Sequence, residues 1–399
     1  MISRKHAWTM WCVAVTFYAY QYILRVMPNV MFDDIMERFH IDISTFGQLT
    51  GVYYLGYSLI HLPLGLMFDR YGPKKIMPIF IIMTVIGMMP FVWSDIWIYP
   101  VIGRALIGVG SSAAILALFK VIKIGFREEH FSRMLSLAVT IGLIGAIYGG
   151  GPLNYMKQQL GFNNLVYILM VTGLIVAVIA FLVVPPYLHT KRELTVMQEI
   201  IGVFRNYKVI AVCILSGLMV GPLEGFADVW GTSFLKVVYG LNENVAASLP
   251  SLIFVGMCFG APILSAIAER TGRYFATIIT SAILMGCGFI AIISGAIPIL
   301  VLSAVFVVIG VLCSYQIIAI YKVSTFADKQ STGLATAAAN MIIMLFGYGF
   351  HSVIGKVISL TNTSVGGYTA ESFEYGIAVI PVTLFVAAFG FIIISKGSK

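Results

Sequence analysis

The chain has 399 residues, 59% apolar and only 11% charged, with a formal net charge of +8. A mean hydropathy of +0.95 excludes an ordinary soluble globular protein and leaves no room for a soluble domain beside the apolar segments. The positive balance could signal a nucleic-acid ligand, but its distribution along the chain reads as membrane topology instead.

A bilayer core needs about 20 apolar residues per spanning helix. Twelve such segments are predicted, at 7–32, 44–67, 75–93, 97–122, 131–155, 163–184, 208–234, 245–267, 274–294, 297–323, 331–357 and 374–395. The first runs on too long, and too polar, for a cleaved signal peptide. With the N-terminus in the cytoplasm, 19 of the 25 Lys and Arg fall on that side, and only Arg38, Lys157, Lys236 and Lys356 lie on or near the other. That asymmetry predicts both termini cytoplasmic. Compact loops suit a bacterial inner membrane.

In the first segment Tyr18, Gln21, Tyr22 and Arg25 recur at i, i+3, i+4 and i+7, which is one helical face. Arg25 lies roughly 27 Å along the helix from its start. A polar, aromatic face ending in a guanidinium suits a planar anion such as a carboxylate or phosphate. The competing reading is an interfacial arginine that snorkels to water. Between segments two and three stands Gly65-Leu-Met-Phe-Asp69-Arg70-Tyr-Gly72-Pro-Lys74-Lys75. Segment four carries Arg104 in Arg104-Ala-Leu-Ile-Gly108-Val-Gly110, an ionisable group that needs a partner or a wet cavity inside a membrane. Segment five is rich in glycine, from Gly142 to Gly149-Gly-Gly-Pro152. A linker over 188–207, holding Lys191, Arg192 and Glu193, divides an N-terminal bundle (1–187) from a C-terminal one (208–399).

Segment seven contains Gly221-Pro-Leu-Glu224-Gly-Phe-Ala-Asp228-Val-Trp230. The i, i+4 spacing puts both carboxyls on one face, a costly pair unless one is protonated or both face a cation. Either acid could bind the proton of a coupled cycle or the amine of a zwitterionic substrate; a static charge cluster is the bland alternative. Pro222 and its flanking glycines should loosen this helix as a gating element would require. Between segments eight and nine comes Ser265-Ala-Ile-Ala-Glu269-Arg270-Thr-Gly272-Arg273, which repeats the first loop at an offset of 200, with acid, arginine and glycine matched at 69/269, 70/270 and 72/272.

Secondary cavity candidates are Tyr53, Tyr54 and Tyr57 in segment two, Asn154 in five, Tyr315 and Gln316 in ten, and Asn340 in eleven. Each is as readily a packing residue. The five cysteines all fall in apolar segments without metal-ligand spacing and read as small buried hydrophobes. No G-x-x-x-x-G-K-[ST] motif is present, so nucleotide hydrolysis is not expected to drive the protein, and no cofactor or metal is expected. The six histidines offer no assembly of nucleophile, base and stabiliser, so no enzyme activity is predicted.

The paired loop resembles the loop 2–3 motif of the major facilitator superfamily and its weaker repeat in loop 8–9. The arginine-glycine pattern of segment four is similar to that family too. The glycines of segment five match its antiporter motif only in part, with altered spacing. The resemblance implies an all-α fold of twelve transmembrane helices in two six-helix bundles. It also implies a conformational latch of Gly65, Asp69, Arg70, Gly72 and Lys74, with Glu269 and Arg270 as its degraded copy, and Arg104 in packing or proton-linked gating. Segments one and seven become symmetry mates lining a central site, and the 200-residue offset maps Arg25 onto Gly225, between the two acids in depth.

The first segment is similar to the organic-anion branch, whose arginine there holds the substrate's anionic group. Import of a small organic anion with protons is therefore the leading expectation, by a monomer working without nucleic acid. An amino-acid transporter of the phagosomal group, a drug or siderophore exporter, and a non-transporting membrane sensor are the alternatives.

Overall fold

The computed structural model describes residues 4–186, 204–327, 332–364 and 367–396, with the side chains of Asp69, Glu128, Ser132, Thr332 and Gly333 outside that description. Lys191, Arg192 and Glu193 of the linker, together with Lys329 and Lys399, lie outside the described residues.

Among the described residues the secondary structure is helical throughout. The helices are α1 Arg4–Val30, α2 Phe32–Phe39, α3 Ile43–Tyr71, α4 Pro73–Met88, α5 Pro90–Trp93, α6 Ile98–Gly125, α7 Phe131–Tyr148, α8 Gly151–Leu160 and α9 Phe162–Val183. The second half contributes α10 Tyr207–Gly217, a π-helix over Gly221–Trp230, α11 Gly231–Val238, α12 Glu243–Ser248, α13 Ser251–Thr271, α14 Tyr274–Ile293, α15 Ile299–Cys313, α16 Tyr315–Phe326, α17 Thr332–Thr361 and α18 Ala370–Lys396.

Ten stretches of the described chain are long and apolar enough to cross a membrane, and a pair bent by 42° at Gly149-Gly150 (Arg133–Tyr148 with Gly151–Leu160) makes an eleventh. The remaining long helix is α1, whose 27 residues would reach about 40 Å. Its polar face, with Tyr18, Gln21, Tyr22 and Arg25, holds its hydropathy below that of the others. Large apolar side chains stand exposed along the helices, Leu300 at 83% and Leu59 at 73%, as lipid-facing residues do. The protein is a multi-pass integral membrane protein. Of the cysteines, Cys213 and Cys313 are buried as expected, but Cys12 and Cys287 are exposed, because their helix faces point away from the packed interior.

The chain divides into two compact units, one comprising Met1–Ile41 and Val52–Arg192 and the other Asp42–Gly51 and Glu193–Lys399. The first turns of α3 thus cluster with the second unit, which a boundary drawn at a linker could not foresee.

The duplication is visible in local geometry. Asp42 caps α3 by accepting a hydrogen bond from Thr45 N at 2.9 Å, and Asn242 caps α12 by accepting from Val245 N at 3.0 Å. The repeated loop turns on a left-handed glycine in each copy, Gly72 at φ 73° and Gly272 at φ 65°. In the first unit α3 and α6 cross so closely at Gly56 and Gly108 that a Cβ on either would strike a backbone carbonyl, that of Ala105 or Tyr53. In the second unit α13 and α15 repeat the crossing at Gly256 and Gly310, against the carbonyls of Val307 and Ile253.

Candidate functional site

In the first unit the predicted face of α1 forms one cluster with α3. Arg25, only 6% exposed, has its guanidinium 5.3 Å from the ring centroid of Tyr22 and 5.4 Å from that of Tyr54. Such placement over two aromatic faces stabilises a cation that has left bulk water. Tyr53 donates from its hydroxyl to Gln21 Oε1 at 3.0 Å, and Tyr18 meets Tyr22 edge-on at 5.3 Å. Tyr57 stacks on Tyr53 at 6.2 Å and on His61 at 5.4 Å, extending the aromatic column along α3. The structure therefore brings Tyr18, Gln21, Tyr22, Arg25, Tyr53, Tyr54 and Tyr57 together.

Arg104 is fully buried, and its work is on the backbone of α1. Its Nη1 donates to Leu24 O at 2.5 Å and its Nη2 to Arg25 O at 2.7 Å, while its guanidinium lies 4.8 Å from the centroid of Tyr53. Pro28 explains the need: it has no N–H, so the carbonyl four residues earlier, Leu24, loses its helical donor. Arg104 replaces that donor from another helix, fixing the α1 backbone at the residue that carries the Arg25 side chain. At the end of α1, Lys157 Nζ donates to Val30 O at 2.7 Å and pairs with Asp34 at 2.9 Å.

In the second unit Glu224 and Asp228 are fully buried on the π-helix. Their spacing alone predicts a continuous α-helix. The i→i+5 ladder that replaces it follows the Pro222 loosening and a side chain inserted from α17: His351 Nε2 stands 2.5 Å from Glu224 O. The other ring nitrogen, Nδ1, is 3.1 Å from Thr50 Oγ1, within the same unit. Sequence reasoning does not single out His351. A fully buried histidine in an apolar helix is the available signal. Tyr315 is also buried, but its hydroxyl donates to Ser216 O at 2.7 Å, which accounts for it as a packing residue. Gln316 is buried beside it on α16, and Asn340 is half-buried on α17. Asn154, fully buried on α8, lies past the break of the bent pair.

Of the loop residues, Arg70 lies over the Tyr71 ring at 5.3 Å and Lys74 over Phe181 at 5.4 Å. Glu269 and Arg270 are exposed at the end of α13. A Cβ on Gly65 would meet nothing within 4 Å, unlike the crossing glycines. The Asp69 side chain lies outside the described residues.

A bacterial homolog of the human lysosomal transporter Spinster, in its inward-facing, unoccupied conformation, superposes with a TM-score of 0.77 at 15% identity, over 99% of this chain and 98% of that one. The nucleoside transporter NupG superposes with a TM-score of 0.75 at 14% identity, over 98% of this chain and 99% of that one. At such identities the likeness shows the fold. No curated protein sequence matches the chain. The family model of the Major Facilitator Superfamily matches residues 10–350, so the chain belongs to that superfamily and is a membrane transporter of a small-molecule substrate rather than an enzyme.

Proposed function

We propose that this protein is a secondary transporter importing a small organic anion together with protons by alternating access. The observation that carries the anion is Arg25, a buried guanidinium banked by Tyr22 and Tyr54 on a backbone clamped by Arg104. A guanidinium so desolvated gives a carboxylate or phosphate a strong, planar hydrogen-bonding partner. Tyr18, Gln21, Tyr53 and Tyr57 complete the recognition surface, and Gln316 and Asn340 are secondary contributors. Glu224 and Asp228 are the coupling residues: two buried carboxyls on one short helix favour sharing protons over holding two charges. Gly65, Asp69, Arg70, Gly72 and Lys74 serve as the latch, with Glu269 and Arg270 as its weaker copy. The distribution of Lys and Arg supports cytoplasmic termini, and we read the protein as a monomer of a bacterial inner membrane.

A second reading, transport of an amino acid, is favoured by the two fully buried acids of the π-helix, either of which could bind an ammonium group. Uptake of labelled sugar acids, dicarboxylates, amino acids and nucleosides into proteoliposomes, with an imposed inward proton gradient, separates the readings. Gradient-driven uptake of an anion that is lost in Arg25→Ala, and uncoupled from the gradient in Glu224→Gln, is the expected result. Uptake of an amino acid lost in both variants would select the second reading. Transport that survives Arg25→Ala undiminished would overturn the anion site.

A further inference from the structure

The network around His351 has a property that goes beyond holding a helix in place. A carbonyl oxygen only accepts, so the bond to Glu224 O requires a proton on Nε2. In the neutral ring Nδ1 is then an acceptor, and the Thr50 hydroxyl donates to it across 3.1 Å. That hydroxyl has a second partner at the same distance, Gly47 O at 3.1 Å. A proton arriving on Nδ1 would turn the ring into a double donor: Nδ1 would donate to Thr50 Oγ1, and the hydroxyl hydrogen would swing to Gly47 O. The count of satisfied groups is the same before and after.

We propose that His351 is a proton-binding site, taking up a proton from water at Nδ1 while Thr50 turns its hydroxyl to Gly47, with Nε2 bonded to the carbonyl of Glu224 throughout. The titratable groups on the elements packed around the ring include Glu224 and Asp228 on the π-helix, Asp42 just before α3 with Tyr53, Tyr54, Tyr57 and His61 along that helix, and Tyr348 and Lys356 on α17 itself. Glu224 and Asp228 are fully buried, whereas Asp42 and Lys356 are exposed to solvent, so the acidic groups buried with the ring are those of the π-helix. Because the same ring touches the backbone of the residue proposed to couple protons, its charge would be felt on the ladder of the π-helix. That consequence for transport rests on the coupling role proposed above for Glu224; the proton site itself does not.

The test is nitrogen NMR of the purified full chain with ¹⁵N-labelled histidine, the His351 ring assigned by the signals missing in His351→Gln. Near pH 8 the expected pattern is a protonated Nε2 and an acceptor-type Nδ1. Acidification to about pH 5 should convert Nδ1 to the protonated type reversibly, within the range where histidines titrate. Thr50→Ser should keep this transition, and Thr50→Val should displace its midpoint by about one pH unit, since it removes a bond worth more to the charged ring than to the neutral one. An Nδ1 that stays an acceptor throughout that range while the protein remains folded overturns the proposal, as does a midpoint indifferent to Thr50→Val. Uptake that ignores Glu224→Gln would remove the coupling reading and leave this titration unchanged, so the two failures are distinguishable.

Discussion

Arg104 is the residue whose removal tests the most connected piece of the structure. Arg104→Met keeps an apolar side chain of similar length but takes away the donors to Leu24 O and Arg25 O and the contact with Tyr53. Hydrogen bonds from a charged donor contribute about 1.5–3 kcal/mol each, and a buried acceptor left without a partner costs about 1–3 kcal/mol. Removing a buried charge recovers part of this by relieving desolvation. A net loss of about 3 kcal/mol is expected, a few degrees of apparent Tm in a chain of this size.

The mechanism behind that number is specific, because Leu24 O needs Arg104 only for want of an N–H at Pro28. Pro28→Ala supplies one, so in that background the loss of Arg104 should cost about 1–2 kcal/mol less. Four purified proteins (parent, each single variant and the double) are melted in detergent while tryptophan fluorescence is followed. The cycle cancels the general effect of removing a proline from a helix, which is the same with and without Arg104. If Arg104→Met is as damaging in the Pro28→Ala background as in the parent, the account of why this arginine is buried here is wrong.

Further expectations follow from the repeated geometry. Gly108→Ala and Gly310→Ala each push a Cβ into a carbonyl of the neighbouring helix and should destabilise by about 1–3 kcal/mol, whereas Gly65→Ala meets nothing and should melt like the parent. Asp42→Ala and Asn242→Ala remove equivalent helix caps, so each should lower stability by about 1 kcal/mol; a loss in only one would show that the caps are not equivalent. Tyr53→Phe removes the donor to the buried Gln21 and should cost about 1–3 kcal/mol in stability and weaken substrate uptake, read as a raised KM in the proteoliposome assay.

The membrane-spanning helices and their duplication are legible in the sequence because both depend on local signals. Apolar length marks the spans, and Gly72 and its match Gly272 sit where the chain needs a positive φ. The face from Tyr18 to Arg25 is legible for the same reason, since i, i+3, i+4 and i+7 spacing fixes which side chains share a helix side. Even so, the polarity of that face is what keeps α1 from registering as a span on hydropathy. The clamp by Arg104 could have been inferred in part: Pro28 announces a carbonyl in need of a donor, and Arg104 is a donor in need of an acceptor. Their meeting is tertiary, 80 residues apart in the chain. The π-helix is harder still to foresee, because its register is tied to a ring 127 residues away from Glu224.

These two tertiary devices coincide in a way that bears on how the duplicated halves diverged. Leu24 and Glu224 are equivalent positions at the 200-residue offset, and in each the main-chain carbonyl accepts from a buried nitrogenous side chain of a distant helix. Yet the donors do not correspond: Arg104 comes from α6, and the residue at its offset, 304, is alanine, while His351 comes from α17. The common feature is therefore the opened carbonyl at one sequence position of the first long helix of each repeat. The partner that satisfies it was supplied separately. In the first unit the partner is a permanently charged guanidinium, which holds the backbone in one state at any physiological pH. In the second it is an imidazole, whose charge can change within that range. A fixed donor suits the half that carries Arg25, where a substrate group must find the same geometry each time. A titratable donor suits the half that carries Glu224 and Asp228. Exchanging the logic tests this division: Arg104→His should add, below about pH 7, a loss of stability that the parent, with its permanently charged arginine at this carbonyl, does not show. A variant whose stability follows pH as the parent's does would mean that the identity of the donor at this carbonyl does not matter.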